Sequence, residues 1–159
     1  MTNRKLAVLG LFTAVAVIFG YVETLIPVFA GIPGIKLGLA NLSVLYILER
    51  FSIKEALIVS FLRILIIGFM FGSLFSILYS LAGALLSMCV MNVLKHMHAS
   101  IYATSMAGGI AHNIGQLIIA MMIVENRSLL VYAPILLISG VITGLLIGFL
   151  TCQTMERIR

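Results

Sequence analysis

Read for hydrophobic and polar positions, the chain is a succession of apolar runs, most of them long enough to cross a bilayer, separated by short breaks. The runs predict six helices, at about 6–28, 35–48, 54–71, 74–94, 101–124 and 129–152. The breaks are Pro27 with the turn Gly31-Ile32-Pro33-Gly34, then Glu49-Arg50, Gly72-Ser73, Lys95-His96-Met97-His98 and Glu125-Asn126-Arg127. Proline and glycine interrupt helices, and charged residues halt a run that lipid would otherwise accept. The second run is short for a full crossing, so it is expected to be tilted, broken or re-entrant. Arg4 and Lys5 precede an apolar stretch too long for the core of a signal peptide, and the first run reads as a retained helix.

Composition changes the picture by excluding a water-soluble fold. Of the 159 residues, 62% are hydrophobic and 9% charged, with a mean hydropathy of +1.23. Soluble domains are about half apolar and about a quarter charged. A chain this small could not hide so much apolar surface from water, whereas lipid removes the need. The expectation is an all-α polytopic membrane protein, a single transmembrane domain over residues 1–159 in a six-helix bundle. Six spans leave little of this length for any domain outside the bilayer.

The net charge of +5 does not point to nucleic acid, because the cations sit in the breaks. With six spans, one side of the membrane holds Arg4, Lys5, Arg50, Lys54, Lys95, Arg157 and Arg159, and the other only Lys36 and Arg127. That asymmetry predicts both termini in the cytoplasm and a location in the cell membrane. Cys89 and Cys152 lie inside apolar runs and read as small core residues, not as a disulfide or metal pair.

Without a hydrophobic force between helices in lipid, small residues mark where backbones approach closely. Such stripes occur at Gly140, Gly144 and Gly148, at Ala107, Ala111 and Gly115, and at Ser76, Ser80 and Ala84. All three are expected to pack within the bundle. The first run carries two: Ala16 with Gly20, and Gly10 with Ala14, the latter a candidate face for a partner protein.

Polar side chains at membrane depth are the candidate chemistry. An ionisable group at mid-bilayer costs about 2.5–3.5 kcal/mol on insertion scales, so each requires a reason. Arg63 lies mid-run, and is either half of an ion pair with Glu23 or a cation for an anionic ligand. His112, Asn113 and Gln116 cluster in a glycine-rich stretch of the fifth run. There Gly108, His112 and Gln116 share a face, either as interhelical bridges or as the wall of a cavity. Lys36 and Asn41 flank the start of the second run. Together Glu23, Lys36, Asn41, Arg63, His112, Asn113 and Gln116 predict one polar, outward-opening pocket, whose cations suit a carboxylate or phosphate on an otherwise apolar ligand.

Aspartate is absent and the five glutamates are scattered, so no acidic motif holds Mg²⁺ on a diphosphate. There is no Walker A sequence, and the His and Cys residues lack metal-ligand spacing. The expectation is a non-catalytic chain with no cofactor and no metal.

The segments Arg4-Lys5-Leu6-Ala7 with Gly20-Tyr21-Val22-Glu23, Ile32-Pro33-Gly34-Ile35-Lys36-Leu37-Gly38-Leu39-Ala40-Asn41, and Ala107 through Gln116 resemble the Gx transporter family. Many of its members carry the name heptaprenyl diphosphate synthase component I. The family is similar to the substrate-binding S components of energy-coupling factor (ECF) vitamin transporters. The resemblance implies six helices, an outward pocket with a lid at 31–36, and docking of Gly10 and Ala14 on a transmembrane coupling protein driven by two cytoplasmic ATPases. The S components' docking pattern is Ala-x-x-x-Ala, and glycine stands first here. Three functions stay open: a ligand-binding transporter subunit, an accessory subunit of prenyl-diphosphate or quinone synthesis, and a structural membrane subunit without ligand.

Overall fold

The breaks within the described residues, 3–25 and 37–158, become helix boundaries in the computed structural model. Six α-helices follow in order: α1 (Asn3–Leu25), α2 (Leu39–Arg50), α3 (Ile53–Phe71), α4 (Leu74–His96), α5 (Ile101–Val124) and α6 (Ala133–Arg157). A 3₁₀ helix, Arg127–Tyr132, precedes α6. Four stretches are long and apolar enough to cross a membrane: Asn3–Leu25, Leu74–His96, Ile101–Val124 and Arg127–Arg157. The chain is therefore an all-helical protein with the marks of membrane residence. Its outer surface agrees, since Phe69, Leu74, Ile142 and Phe149 are among many large apolar side chains left exposed.

Local chemistry explains the boundaries. Ser73 and Ser100 accept hydrogen bonds from the amides of Ser76 and Ala103, capping α4 and α5. Glu125 takes a left-handed conformation (φ 52°) that stops α5. Asn126 caps the 3₁₀ helix, and Pro134 occupies the first turn of α6, where its missing amide costs nothing. The expected boundaries differ at several places, and the second helix begins at Leu39 and ends at Arg50. The sixth helix begins at Ala133 because residues 127–132 wind as 3₁₀, and it continues through Arg157. Lys95 and His96 belong to the last turn of α4, where their charge suits the helix C-terminus. Residues 26–28 of the first predicted span and 35–36 of the second lie outside the described residues.

The short second run is the centre of the molecule. At 12 residues α2 is about 18 Å long, too short for the roughly 30 Å of hydrocarbon. All residues from Leu42 to Leu48 are buried, so the helix is apolar on every side and enclosed by α1, α3 and α6. Tyr46 stacks on Phe12 with ring centroids 4.2 Å apart. The ends of α2 are held by charge. Lys95, on the last turn of α4, donates to the carbonyls of Leu48 and Glu49. Lys5 bonds Glu55 at 2.5 Å and lies over the Phe51 ring. The start of α1, the α2–α3 junction and the end of α4 therefore share one face of the bundle.

The helices α4, α5 and α6 meet backbone to backbone. A methyl group added to Gly140 would lie 2.9 Å from the Gly109 carbonyl carbon, and one on Gly144 would lie 2.6 Å from Met106 Cα. On the other side of α5, a methyl on Gly115 would lie 2.7 Å from the Ala82 carbonyl oxygen. The stripes on α5 and α6 thus pack internally. The α4 stripe does not behave as expected: Gly83 makes the contact to α5, while Ser76, Ser80 and Ala84 line open space. In α1, Ala16 and Gly20 are buried, and Gly10 and Ala14 face outward. Cys89 also lies on the exposed surface, contrary to its expected core position.

Candidate functional site

A polar cavity lies between α1–α3 on one side and α4–α6 on the other, with about 90 Å³ open to the centres of water-sized molecules. Six of the seven candidate ligand-binding residues line it: Glu23, Asn41, Arg63, His112, Asn113 and Gln116. The seventh, Lys36, and the expected lid at 31–36 lie outside the described residues. The cavity also takes in residues that polarity along the chain did not single out. Thr143 comes from α6, Ser76 and Ser80 from α4, and Gly109 from α5. The two serines carried a signal, hydroxyls at helical spacing, that reads equally as packing. Thr143 carried none, because its hydroxyl donates to the Ser139 carbonyl within its own helix.

Arg63 sits at the middle of α3. Its Nε is enclosed and has no hydrogen-bond partner among the described residues. Glu23 of α1 lies near enough to act on it electrostatically. Glu23 has a second task. Its Oε1 accepts a hydrogen bond of 2.6 Å from the Leu39 amide, the first residue of α2. Gly38, just before it, has φ 75°, a conformation open chiefly to glycine, and this turn delivers the α2 amides toward Glu23. The carboxylate therefore links α1, the start of α2 and the cation on α3.

On α5 the lining stripe is Gly109, His112, Asn113 and Gln116. Gly108, grouped with His112 and Gln116 from spacing alone, instead packs against Met91 of α4. Gly83 of α4 explains how the two large polar side chains fit. A methyl there would lie 2.8 Å from Gln116 Cγ and 3.0 Å from His112 Cε1. Gln116 is 2% exposed, and its amide is the only long uncharged polar group so deeply enclosed among the described residues. Asn113 is partly committed to architecture, since its Nδ2 donates to the Leu136 carbonyl of α6 at 2.6 Å. His112 and Glu23 are both engaged with neighbours.

A second depression lies beside the cavity, between α3 and α4. It is apolar apart from Ser60, opens to the outside of the bundle, and has about 320 Å³ by the same measure. Among the described residues no group of three His, Cys, Asp or Glu side chains is placed to hold a metal ion.

The family model described as heptaprenyl diphosphate synthase component I matches residues 12–154, nearly the whole chain and every element named above. The chain belongs to that family. Neither the curated proteins nor the solved structures contain a match to it.

Proposed function

We propose that this chain is the membrane-embedded ligand-binding subunit of a transporter, similar to an ECF S component, for a small and largely apolar anion. One observation carries the reading: a cationic side chain whose enclosed Nε has no hydrogen-bond partner among the described residues opens on a cavity lined by Glu23 and by neutral hydrogen-bonding groups. A guanidinium recognises a carboxylate or phosphate through charge-assisted hydrogen bonds, and an enclosed site strengthens them. Asn41 and Gln116 supply donors and acceptors for the remaining lone pairs of the ligand. No residue here has a catalytic assignment, and the chain works without a cofactor.

In this reading the chain crosses the bilayer six times, with α2 as the short, enclosed part of the second crossing. Both termini are cytoplasmic, because the face bearing Lys5, Arg50, Lys54 and Lys95 carries the excess of positive charge. Lacking a nucleotide site, the chain borrows energy from a coupling membrane protein with two ATPases. The outward Gly10 and Ala14 on α1 form the docking face. Native mass spectrometry of the detergent-purified protein tests the ligand: an anion should co-purify with the wild type and not with Arg63→Leu. Cysteine labelling tests the topology, in a chain whose Cys89 and Cys152 are replaced by alanine. Position 127 should react from outside intact cells, and positions 96 and 157 only from inside.

A second reading is favoured by the family's description. It is a non-catalytic membrane subunit of heptaprenyl diphosphate or quinone synthesis. Affinity capture separates the two: a coupling protein with ATPases supports transport, and a prenyl-pathway enzyme without ATPase supports the accessory role.

A further inference from the structure

The apolar depression and the polar cavity share a wall. Ile64 of α3 lines both. On α3 the cavity is formed by Arg63, Ile67 and Gly68, and the groove by residues earlier in the helix, Leu57 and Phe61 among them. On α4 the cavity takes Ser76 and Ser80, and the groove takes Leu81, Ala84 and Leu85. The two helices run antiparallel from the Gly72-Ser73 turn. On each, the groove is displaced from the cavity by about five residues away from that turn, or roughly 7 Å along the axis. The matching offset on both helices sets the groove beside the cavity, with Ile64 as the wall they share.

Packing explains why the groove opens. Near the turn, α3 and α4 touch so closely that a methyl on Gly68 would overlap the Ile77 side chain. Further along, bulky side chains replace glycine, and the groove lies between the two helices there. The cavity alone is small: pockets that enclose a whole drug-sized ligand measure about 300–1,000 Å³. About 90 Å³ accommodates a head group, whereas the adjoining groove is almost wholly apolar.

Resting on the anion-binding reading of the cavity, we infer that the ligand is an amphiphile whose anionic head meets Arg63 and whose linear apolar tail leaves past Ile64 into the α3–α4 groove. The head then lies nearer the membrane face and the tail nearer its middle, the orientation of an amphiphile already in a leaflet. Such a ligand enters sideways from lipid, through the gap between α3 and α4, without its tail crossing water.

The test uses the full chain in phosphatidylcholine nanodiscs, with an alkyl phosphate and an alkyl carboxylate each carrying a diazirine at the tail end. Tagged phosphatidylcholine serves as the control for annular lipid. After illumination, adducts from at least one tagged anion should concentrate on Leu57, Phe61, Leu81 and Leu85. Excess untagged short-chain phosphate or carboxylate should reduce them to the level of the lipid control. Ala84→Trp, which fills the groove, should abolish these adducts while short-chain anions still bind. Leu85→Trp, at a half-exposed position, provides the same test should the first variant not fold. Adducts spread evenly over outward residues such as Phe69 and Phe149, unchanged by competitor, would overturn the inference and leave only annular lipid in the groove. So would groove adducts that persist in both tryptophan variants. If no short-chain anion binds the wild type saturably, the reading of the cavity fails first, and the tail placement falls with it.

Discussion

The two halves of this bundle are joined by different kinds of contact. In α4–α6 the backbones themselves touch: a methyl on Gly109 would lie 2.5 Å from the Gly140 carbonyl oxygen. In α1–α3 the contacts run through side chains. A methyl on Gly20 would meet only side chains, Ile67 at 3.1 Å and Ala40 at 3.9 Å, and one on Gly10 would meet nothing within 4 Å. Leu9, Phe12, Leu45 and Leu48 fill the space between α1, α2 and α3. Backbone contact leaves no rotamer to change, whereas a side-chain interface can repack. The cavity takes residues from both halves, with its charged pair, Glu23 and Arg63, on the side-chain-packed half. The backbone-packed half contributes neutral polar groups. The arrangement places the electrostatics of the site where adjustment is cheap and its shape where adjustment is costly.

The largest expected effect comes from breaking the stiffer half. Gly140→Leu or Gly144→Leu forces side-chain volume into backbone that cannot yield, beyond the roughly 1–3 kcal/mol of ordinary overpacking. Thermal unfolding in detergent should show little or no folded protein for either variant. A folded variant with near-normal stability would mean that α5 and α6 are not in backbone contact.

Next comes the charged pair. Arg63→Leu leaves the Glu23 carboxylate without its cation and should lower stability by about 3 kcal/mol. Adding Glu23→Gln should recover most of that loss, because a glutamine carbonyl oxygen can still accept from the Leu39 amide. Ligand binding should stay absent in the double variant. Recovery of binding there would make Arg63 a structural residue alone.

The ion pair between Lys5 and Glu55 is partly exposed, with side chains 29% and 15% accessible. Lys5→Ala should cost no more than about 1 kcal/mol in the same unfolding assay, and less at high salt. The smallest effect on stability belongs to Gly10→Leu. With open space around it, this change should shift stability by no more than about 0.5 kcal/mol. Its effect should appear in co-purification, as loss of the coupling protein with ligand binding retained. Unchanged co-purification would remove Gly10 from the docking face.

Membrane residence, the helical class and most helix boundaries were legible along the chain, because lipid imposes a length and a polarity that a linear pattern can display. The candidate polar residues were legible for a related reason: a charge or amide inside an apolar run is conspicuous. One miss has its cause on its own helix: Thr143 donates to the Ser139 carbonyl, so its presence in an apolar run marks neither packing nor a wall.

Sequence by itself determined that the chain belongs in lipid, that it is helical, and that Arg63 needs an anionic counterpart. Tertiary structure decided which small residues meet and which are left open. The stripe at Gly140, Gly144 and Gly148 packs, whereas Ser76, Ser80 and Ala84, at the same spacing, line a cavity and a groove. Spacing along one helix specifies a face but not what faces it. That depends on contacts such as Gly68 against Ile77, two residues on different helices.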